Sequence, residues 1–532
     1  MRAYQTLCCA IILSMAYHPG YGQQDTTKLE DLSLKALLDV KVVTASKTSQ
    51  NSGTAPATVT VVSREQIRMR GYQSLLDIIT DLPDVKLDDK IYPGSRNNLP
   101  VRGIQGQQNF VILLDGVKIS SPTNEAMPIM ENYPVNLAEQ VEIVYGPASA
   151  LYGADAVSGV INIITKRLPN GKNMILDASA MAGNYGYTNH TLFLAKKLGR
   201  GASLTISGQY NYNAQPDYTK VYSDDPQLSI LPYQTGTFPT IYGPMKPTTP
   251  FTAAYQAPTI AYNLYAALNL DGFTLSIFSN YARIPSSYGN NTSNAIYNKD
   301  AFIGQRITTA SAAYKKTFNR FVSNSSLTAG NYTLDPESNY RNLFSNMEPV
   351  YKYATSTNIK AEQQLDYKAS GKLNLTGGAS YEKFSSIPQS PDLDYPVNTK
   401  GNIQGSYAGT DSYYRPAGLP AQFYNLNYHN IGGYFQAQYT PVSQLSFTLG
   451  ARYDNNSRYG SSFTPRLGMV YKPQPGTTIK LLYGSAYLAP TPTDSYLQYG
   501  SFTTPDSGRT FHSSFLHLPN PDLKPIRSYN LE

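Results

Sequence analysis

The sequence predicts a mainly β protein in which a small α/β domain precedes a large antiparallel β-barrel. Three observations carry this. Charged residues make up only 15% of the chain, Tyr occurs 45 times and Trp not at all, whereas soluble domains carry about 25% charge. No stretch approaches the ~20 apolar residues of a transmembrane helix. From about residue 173 onward, period-2 segments such as "SLTISGQYNY" and "LSFTLGARYD" alternate with turns, and only alternate residues of a membrane-crossing strand need be apolar.

Residues 1–22 read as a secretory signal. Arg2 precedes the apolar run "LCCAIILSMAY", and Gly20 and Gly22 sit at the −3 and −1 positions of a cleavage site before Gln23. Both cysteines, Cys8 and Cys9, fall inside it, so disulfide and thiol chemistry are excluded from the rest of the chain. Residues 23–54 are expected to be a flexible N-terminal segment. Within it, "KLEDLSLKALLDV" has amphipathic helical character, "DVKVVTASK" contains a β-prone Val42-Val43-Thr44 with nothing nearby to pair with it, and residues 46–55 have linker composition.

Residues 55–170 form the α/β domain. A strand is expected at 57–62. Ser63 with Gln66 and Ser74 with Asp77 are capping boxes that open two short helices. Strands follow at 99–104, 109–114, 141–145 and 159–165, with Asp115-Gly116 as a hairpin turn needing positive φ.

Residues 171–532 hold the strands of the barrel. They are read near 173–183, 188–197, 202–213, 259–269, 273–284, 304–315, 321–333, 353–366, 371–384, 427–440, 444–458, 463–472, 477–485 and from 526. The connections sort by parity. Alternate ones are short (KLGRG, LDG, KTFN, DYKASG, TPVSQ, KPQPG), and most others are long and rich in Pro, Tyr, Ser and Asn. Outer-membrane barrels have this asymmetry, with short periplasmic turns and long extracellular loops. A soluble sandwich has no reason to sort loop lengths in this way.

The segments "LPVRGIQ", "VILLDGVKI" and "VEIVYGPASALYGADAVSGVINIITK" resemble the plug domain of TonB-dependent outer-membrane receptors. "LGARYD", "YGSAYLAP" and "NPDLKP" resemble that family's barrel motifs. The resemblance implies a plug inside a barrel of about 22 strands, against about 14 read here. A ~120-residue plug is about 35 Å across. About 14 strands leave a bore of only ~18 Å after side chains, and about 22 leave ~34 Å. The chain is therefore expected to be a C-terminally incomplete receptor, short of about eight strands.

The resemblance also implies roles for particular residues. Val42, Val43, Thr44 and Ala45 match the TonB box, an extended segment that adds as a strand to the edge of TonB's sheet. Arg102 and Glu142 match charges that latch plug to barrel wall, where partners are needed because an unpaired buried charge is costly. Tyr145 stands where the family often has a basic residue. Ligand contacts are expected at the plug apices, from Tyr92, Arg96, Asn97, Asn124, Met127 and Met130. His512 and His517 fall between the "YLAP" and "NPDL" motifs, where haem receptors carry an axial His. Asp217, Asp224 and Asp225 form either a Ca²⁺ site of an extracellular loop or simply a solvated acidic loop.

Enzyme readings lack parts: there is no Gly-x-Ser-x-Gly elbow and no HExxH. The net charge of +7 comes from 43 basic and 36 acidic residues scattered without basic runs, so nucleic acid is not an expected partner. No cofactor is required, although the transported ligand can contain iron or cobalt. The expected function is energy-dependent uptake of a scarce nutrient across the outer membrane of a Gram-negative bacterium. A ferric siderophore or other iron chelate leads, with cobalamin or haem as alternatives and a passive porin or surface adhesin as readings of another class. Expected partners are TonB with its inner-membrane energising complex, the barrel assembly machinery, outer-membrane lipid and the chelate; the protein is expected to be a monomer.

Overall fold

The computed structural model describes residues 40–532 apart from 87–99, 105, 170, 241–242, 287–290, 394, 398–422, 475, 498 and 504–511. The signal segment, the amphipathic stretch before residue 40, and Tyr92, Arg96 and Asn97 lie outside the described residues.

Strands β1 (Lys41–Val42) and β2 (Gln50–Asn51) pair antiparallel. The α/β domain that follows is built on β3 (Thr58–Ser63), β4 (Phe110–Leu114), β5 (Val117–Lys118), β6 (Ala138–Tyr145) and β7 (Gly159–Thr165). Their order is β3-β6-β7-β4-β5, with β4 and β7 parallel. Both expected helices form. Ser63 opens α1 (Arg64–Arg70) with the reciprocal bonds of a capping box, and Gly71 closes it in the left-handed region at φ 70°. Ser74 opens α2 (Leu75–Thr80) in the same way. Asp115 and Gly116 both take positive φ, 48° and 85°, at the β4–β5 turn. One expected strand is absent: in the described part of 99–104, Arg102 and Gly103 adopt φ of 51° and 78°. Val101 and Ile104 then bond to each other across the reversal, so the segment is a tight turn.

Fourteen strands form one antiparallel sheet among the described residues. They are β8 (Met174–Ala182), β9 (Thr188–Gly199), β10 (Ala202–Asn213), β11 (Thr259–Leu270), β12 (Phe273–Pro285), β13 (Phe302–Phe318), β14 (Phe321–Leu334), β15 (Thr355–Lys368), β16 (Leu373–Ile387), β17 (Leu426–Val442), β18 (Leu445–Asn456), β19 (Gly460–Tyr471), β20 (Ile479–Leu488) and β21 (Ile526–Leu531). Each pairs with the next in chain order, leaving β8 and β21 as the two edges. The sequence expectation for these strands is met throughout, bounds aside.

The sheet curls around the α/β domain. Phe193 and Ala195 of β9, Tyr265 and Ala267 of β11 and Phe278 of β12 are buried in one apolar cluster with Leu75, Ile78, Val141 and Ile163 of the inner domain. On the outward face, Leu264, Ile277, Leu449, Leu467 and Leu481 are exposed, as a lipid-facing surface requires. Near the short turns, Phe273 stacks on Tyr314 at 4.2 Å and Phe321 on Tyr367 at 4.3 Å. Toward the long loops, Tyr262 stacks on Tyr281 at 5.1 Å. Such rings are aromatic girdles at the two membrane interfaces.

Candidate functional site: a cradle for residues 42–46

The segment around Thr44 is neither lone nor loose. Val42, Thr44, Ala45 and Ser46 are buried, and Val42 pairs with Gln50. This corrects the expectation of a flexible segment to residue 54. The strand does have a neighbour, and residues 46–55 lie against the inner face of the barrel.

Two facing residues of the inner sheet make the cradle. Glu142 of β6 and Asn162 of β7 are opposite each other in register, so their side chains project from the same face. One carboxylate oxygen of Glu142 accepts from Val43 N (3.0 Å), Thr44 N (2.8 Å) and Thr44 Oγ1 (2.6 Å). Its other oxygen accepts from Gln140 Nε2 at 2.7 Å. Asn162 Nδ2 donates to Thr44 Oγ1 at 2.9 Å. Tyr152 Oη donates to the Thr44 carbonyl at 2.9 Å. Burial, reinforced by the nearby Glu142 carboxylate and only partly offset by Arg466, raises the Tyr152 phenol above its ordinary range, so it stays a donor.

The barrel wall completes the grip. Arg466 of β19 donates to the carbonyls of Ala45 (2.9 Å) and Pro56 (2.5 Å). Lys480 of β20 donates to the carbonyl of Ala57 at 2.9 Å. Lys47 reaches Glu362 of β15 at 2.6 Å and sits 4.4 Å from the Tyr434 ring. Burial pulls the Lys47 ammonium down to about 8 against the opposing charge of Glu362. Nearby, Arg452 and Asp454 of β18 form a buried two-pronged pair at 2.7 Å. Gly153 lets the guanidinium approach: a Cβ there would lie 3.3 Å from it.

The expected latch residues divide. Arg102 pairs with Glu532, just beyond β21, and lies 5.2 Å from the ring of Tyr145. Tyr145 thus backs the remaining arginine instead of supplying a second charge. Glu142 is corrected from wall latch to acceptor for the N-terminal strand, because its bonds go to residues 43 and 44 and to Gln140 and none goes to the barrel wall among the described residues.

The ligand candidates that can be placed are engaged internally. Asn124 sits at φ 65° and donates to the Gln108 carbonyl at 2.8 Å. Met127 is buried with Ile307, Tyr332 and Leu334 of the barrel, and Met130 packs on the same cluster. The two methionines therefore fix the apex to the wall, and Asn124 braces it from within the α/β domain. His512 belongs to a strand, His512–His517, outside the main sheet. His517 Nδ1 lies 2.7 Å from the Leu497 carbonyl. Asp217 caps a helical turn through Thr219 N at 3.2 Å, and Asp225 caps another through Gln227 N at 2.9 Å. Asp224 lies 3.5 Å from the Ser223 hydroxyl. No group of three or more potential metal ligands occurs among the described residues, so the three aspartates are turn caps and loop surface here, not a preformed Ca²⁺ cage.

Sequence reasoning missed Arg452, Arg466 and Lys480. Their signal was parity: in β18, Arg452 and Asp454 share the face opposite exposed Leu449 and Tyr453, which turns them inward.

A plugged β-barrel whose N-terminal strand is clasped from two sides defines the class: an outer-membrane receptor of plug-in-barrel type. The TonB-dependent receptor plug domain model matches residues 51–160, and the TonB-dependent receptor-like β-barrel model matches residues 199–532. The chain belongs to the TonB-dependent receptor family, whose members reside in the Gram-negative outer membrane. Among solved structures, it is similar to the siderophore receptor PirA of Pseudomonas aeruginosa (18% identity, TM-score 0.56, covering 89% of this chain and 70% of that one). A mutant ferric enterobactin receptor PfeA of the same species gives 19% identity and TM-score 0.66, covering 92% and 70%. The siderophore receptor PiuA of Acinetobacter baumannii gives 15% and 0.54, covering 82% and 65%.

Proposed function

We propose that the protein imports a ferric siderophore or another iron chelate, with energy delivered by TonB to residues 42–45. One observation carries the reading. The backbone groups of Val43, Thr44 and Ala45 are held by Glu142, Tyr152 and Arg466 side chains, instead of by a continuous sheet. Side chains can let go of a strand one by one, and the freed N–H and C=O groups are those a partner's sheet edge needs. The similar structures named as siderophore receptors support the choice of cargo.

The test combines binding and uptake. Quenching of tyrosine fluorescence by ferric catecholate, ferric hydroxamate, ferric citrate, haem and cobalamin reads binding, and radio-iron accumulation in cells reads import. Deleting residues 42–45 should abolish accumulation and leave quenching unchanged. Accumulation that survives the deletion would make the barrel a passive pore. Quenching by haem or cobalamin but by no ferric chelate would move the cargo to that class.

A further inference from the structure

Two arginines lie on the outward face of the barrel, in the parity of exposed Phe273, Leu275 and Ile277 and their cross-strand partners. On the outward side of β11–β13, the register places Leu270, Phe273 and Tyr314 in one row near the short turns. Eight residues further along β12 comes the row of Tyr262, Tyr281 and Arg306, and two further comes Arg283, opposite Gly304. At ~3.4 Å per residue and a tilt of ~40°, the two rows stand about 21 and 26 Å above the lower girdle. An apolar band is about 25 Å tall, so both guanidiniums reach the headgroup level of the outer leaflet.

They are built into the surface. Arg306 lies 5.3 Å from the Tyr281 ring and 5.7 Å from that of Tyr262, and it donates to Tyr262 Oη at 2.7 Å. Arg283 lies 3.6 Å over the Phe302 ring and donates to the Lys299 carbonyl. Because Arg283 opposes Gly304 and Arg306 opposes Tyr281, the two are diagonal neighbours, about 7–8 Å apart at the backbone. One carboxylate, Asp335, stands in the cluster and accepts from Tyr281 Oη at 2.9 Å. Among the described residues neither Arg283 nor Arg306 has a carboxylate in ion-pair contact. Each guanidinium has five donors, of which the described bonds take one apiece.

We propose that Arg283 and Arg306, backed by Tyr262, Tyr281 and Phe302, form a docking site for the phosphorylated headgroup of an outer-leaflet lipid. The planar fork of Arg matches phosphate oxygens, and the rings hold it pre-oriented. The outer leaflet of this membrane is built from a phosphorylated glycolipid, which supplies the anion at the depth the register gives.

The experiment uses the full chain in detergent with lipid A carrying both phosphates, its phosphate-free form, and soluble pyrophosphate. Retention through gel filtration is read by mass spectrometry. The wild type should retain bisphosphorylated lipid A at least about fivefold better than the phosphate-free form. R283Q/R306Q should lose that preference, and R283K/R306K should keep part of it. Folding of each variant is checked by the heat-dependent gel shift of the barrel. Equal retention of the two lipids by the wild type overturns the proposal, and that comparison stands even where a variant fails to fold. So does an undiminished preference in R283Q/R306Q. Displacement of lipid A by equimolar pyrophosphate would show that the site takes a soluble anion and overturn the lipid assignment.

Discussion

Replacing Glu142 with Ala should unlatch the segment around Thr44 without unfolding the domain that carries it. One oxygen of Glu142 takes three hydrogen bonds, from Val43 N, Thr44 N and Thr44 Oγ1. A net hydrogen bond to a charged acceptor is worth ~1.5–3 kcal/mol. The three share one oxygen and water re-solvates the released groups, so the loss comes to ~3 kcal/mol, or about 10²-fold in the open population. Tyr152, Asn162 and Arg466 still hold Thr44 and Ala45, so the segment opens more often and is not permanently out. Hydrogen exchange of peptides covering 41–47 measures this directly. Their exchange should accelerate about 10²-fold, while β6 and β7 amides keep their protection. The affinity of a purified TonB C-terminal domain should rise in parallel without any ligand. Glu139 is exposed on the same strand, and E139A should change neither readout. Unchanged exchange at 41–47 would refute the reasoning, and so would a uniform loss of protection across the inner sheet.

Other outcomes follow from the same geometry. Arg466→Met removes the donors to the Ala45 and Pro56 carbonyls. Limited proteolysis should then cut between residues 45 and 57 while the barrel keeps its gel shift. Burial, with Asp77 adding to it, raises the Glu131 carboxyl to about 7 from 4.5. The folded state therefore holds the proton that the unfolded chain releases, and stability is full below pH 4.5 and falls as pH rises to about 7. The fall is at most ~3 kcal/mol, and a pH series of thermal melts should show it in the wild type and not in E131Q. At Gly159 an added Cβ would sit 2.1 Å from the Val144 carbonyl oxygen. Gly159→Ala should cost ~3 kcal/mol or more by parting the start of β7 from β6, read as loss of plug protection in exchange experiments.

What the sequence discloses is what short-range rules govern. Ser63 with Gln66 and Ser74 with Asp77 announce their helices because a capping box is complete within four residues. The strands announce themselves because lipid outside and protein inside impose period two over a dozen residues at a time. The cradle could not be read in this way. Thr44 is bound by Glu142 and Asn162, 98 and 118 residues away, and a β-prone run with polar flanks looks the same whether it is free or clasped. Arg102 turned the chain where a strand was expected, because nothing local separates "PVRGI" as a strand from the same letters with two left-handed residues. The apex residues misled for a related reason. Asn124 and Met127 look like exposed loop chemistry until the Gln108 carbonyl is placed beside the one and the barrel wall beside the other.

The clasp on Thr44 means that four residues are judged twice. On the proposed function they must suit the foreign strand that pulls them, and they must also fit the berth where they wait. The hydroxyl of Thr44, giving a proton to one neighbour and taking one from another, answers only to the second judge. A tetrapeptide transplanted from a sister receptor could be recognised perfectly by the motor and still never lie down properly between strokes.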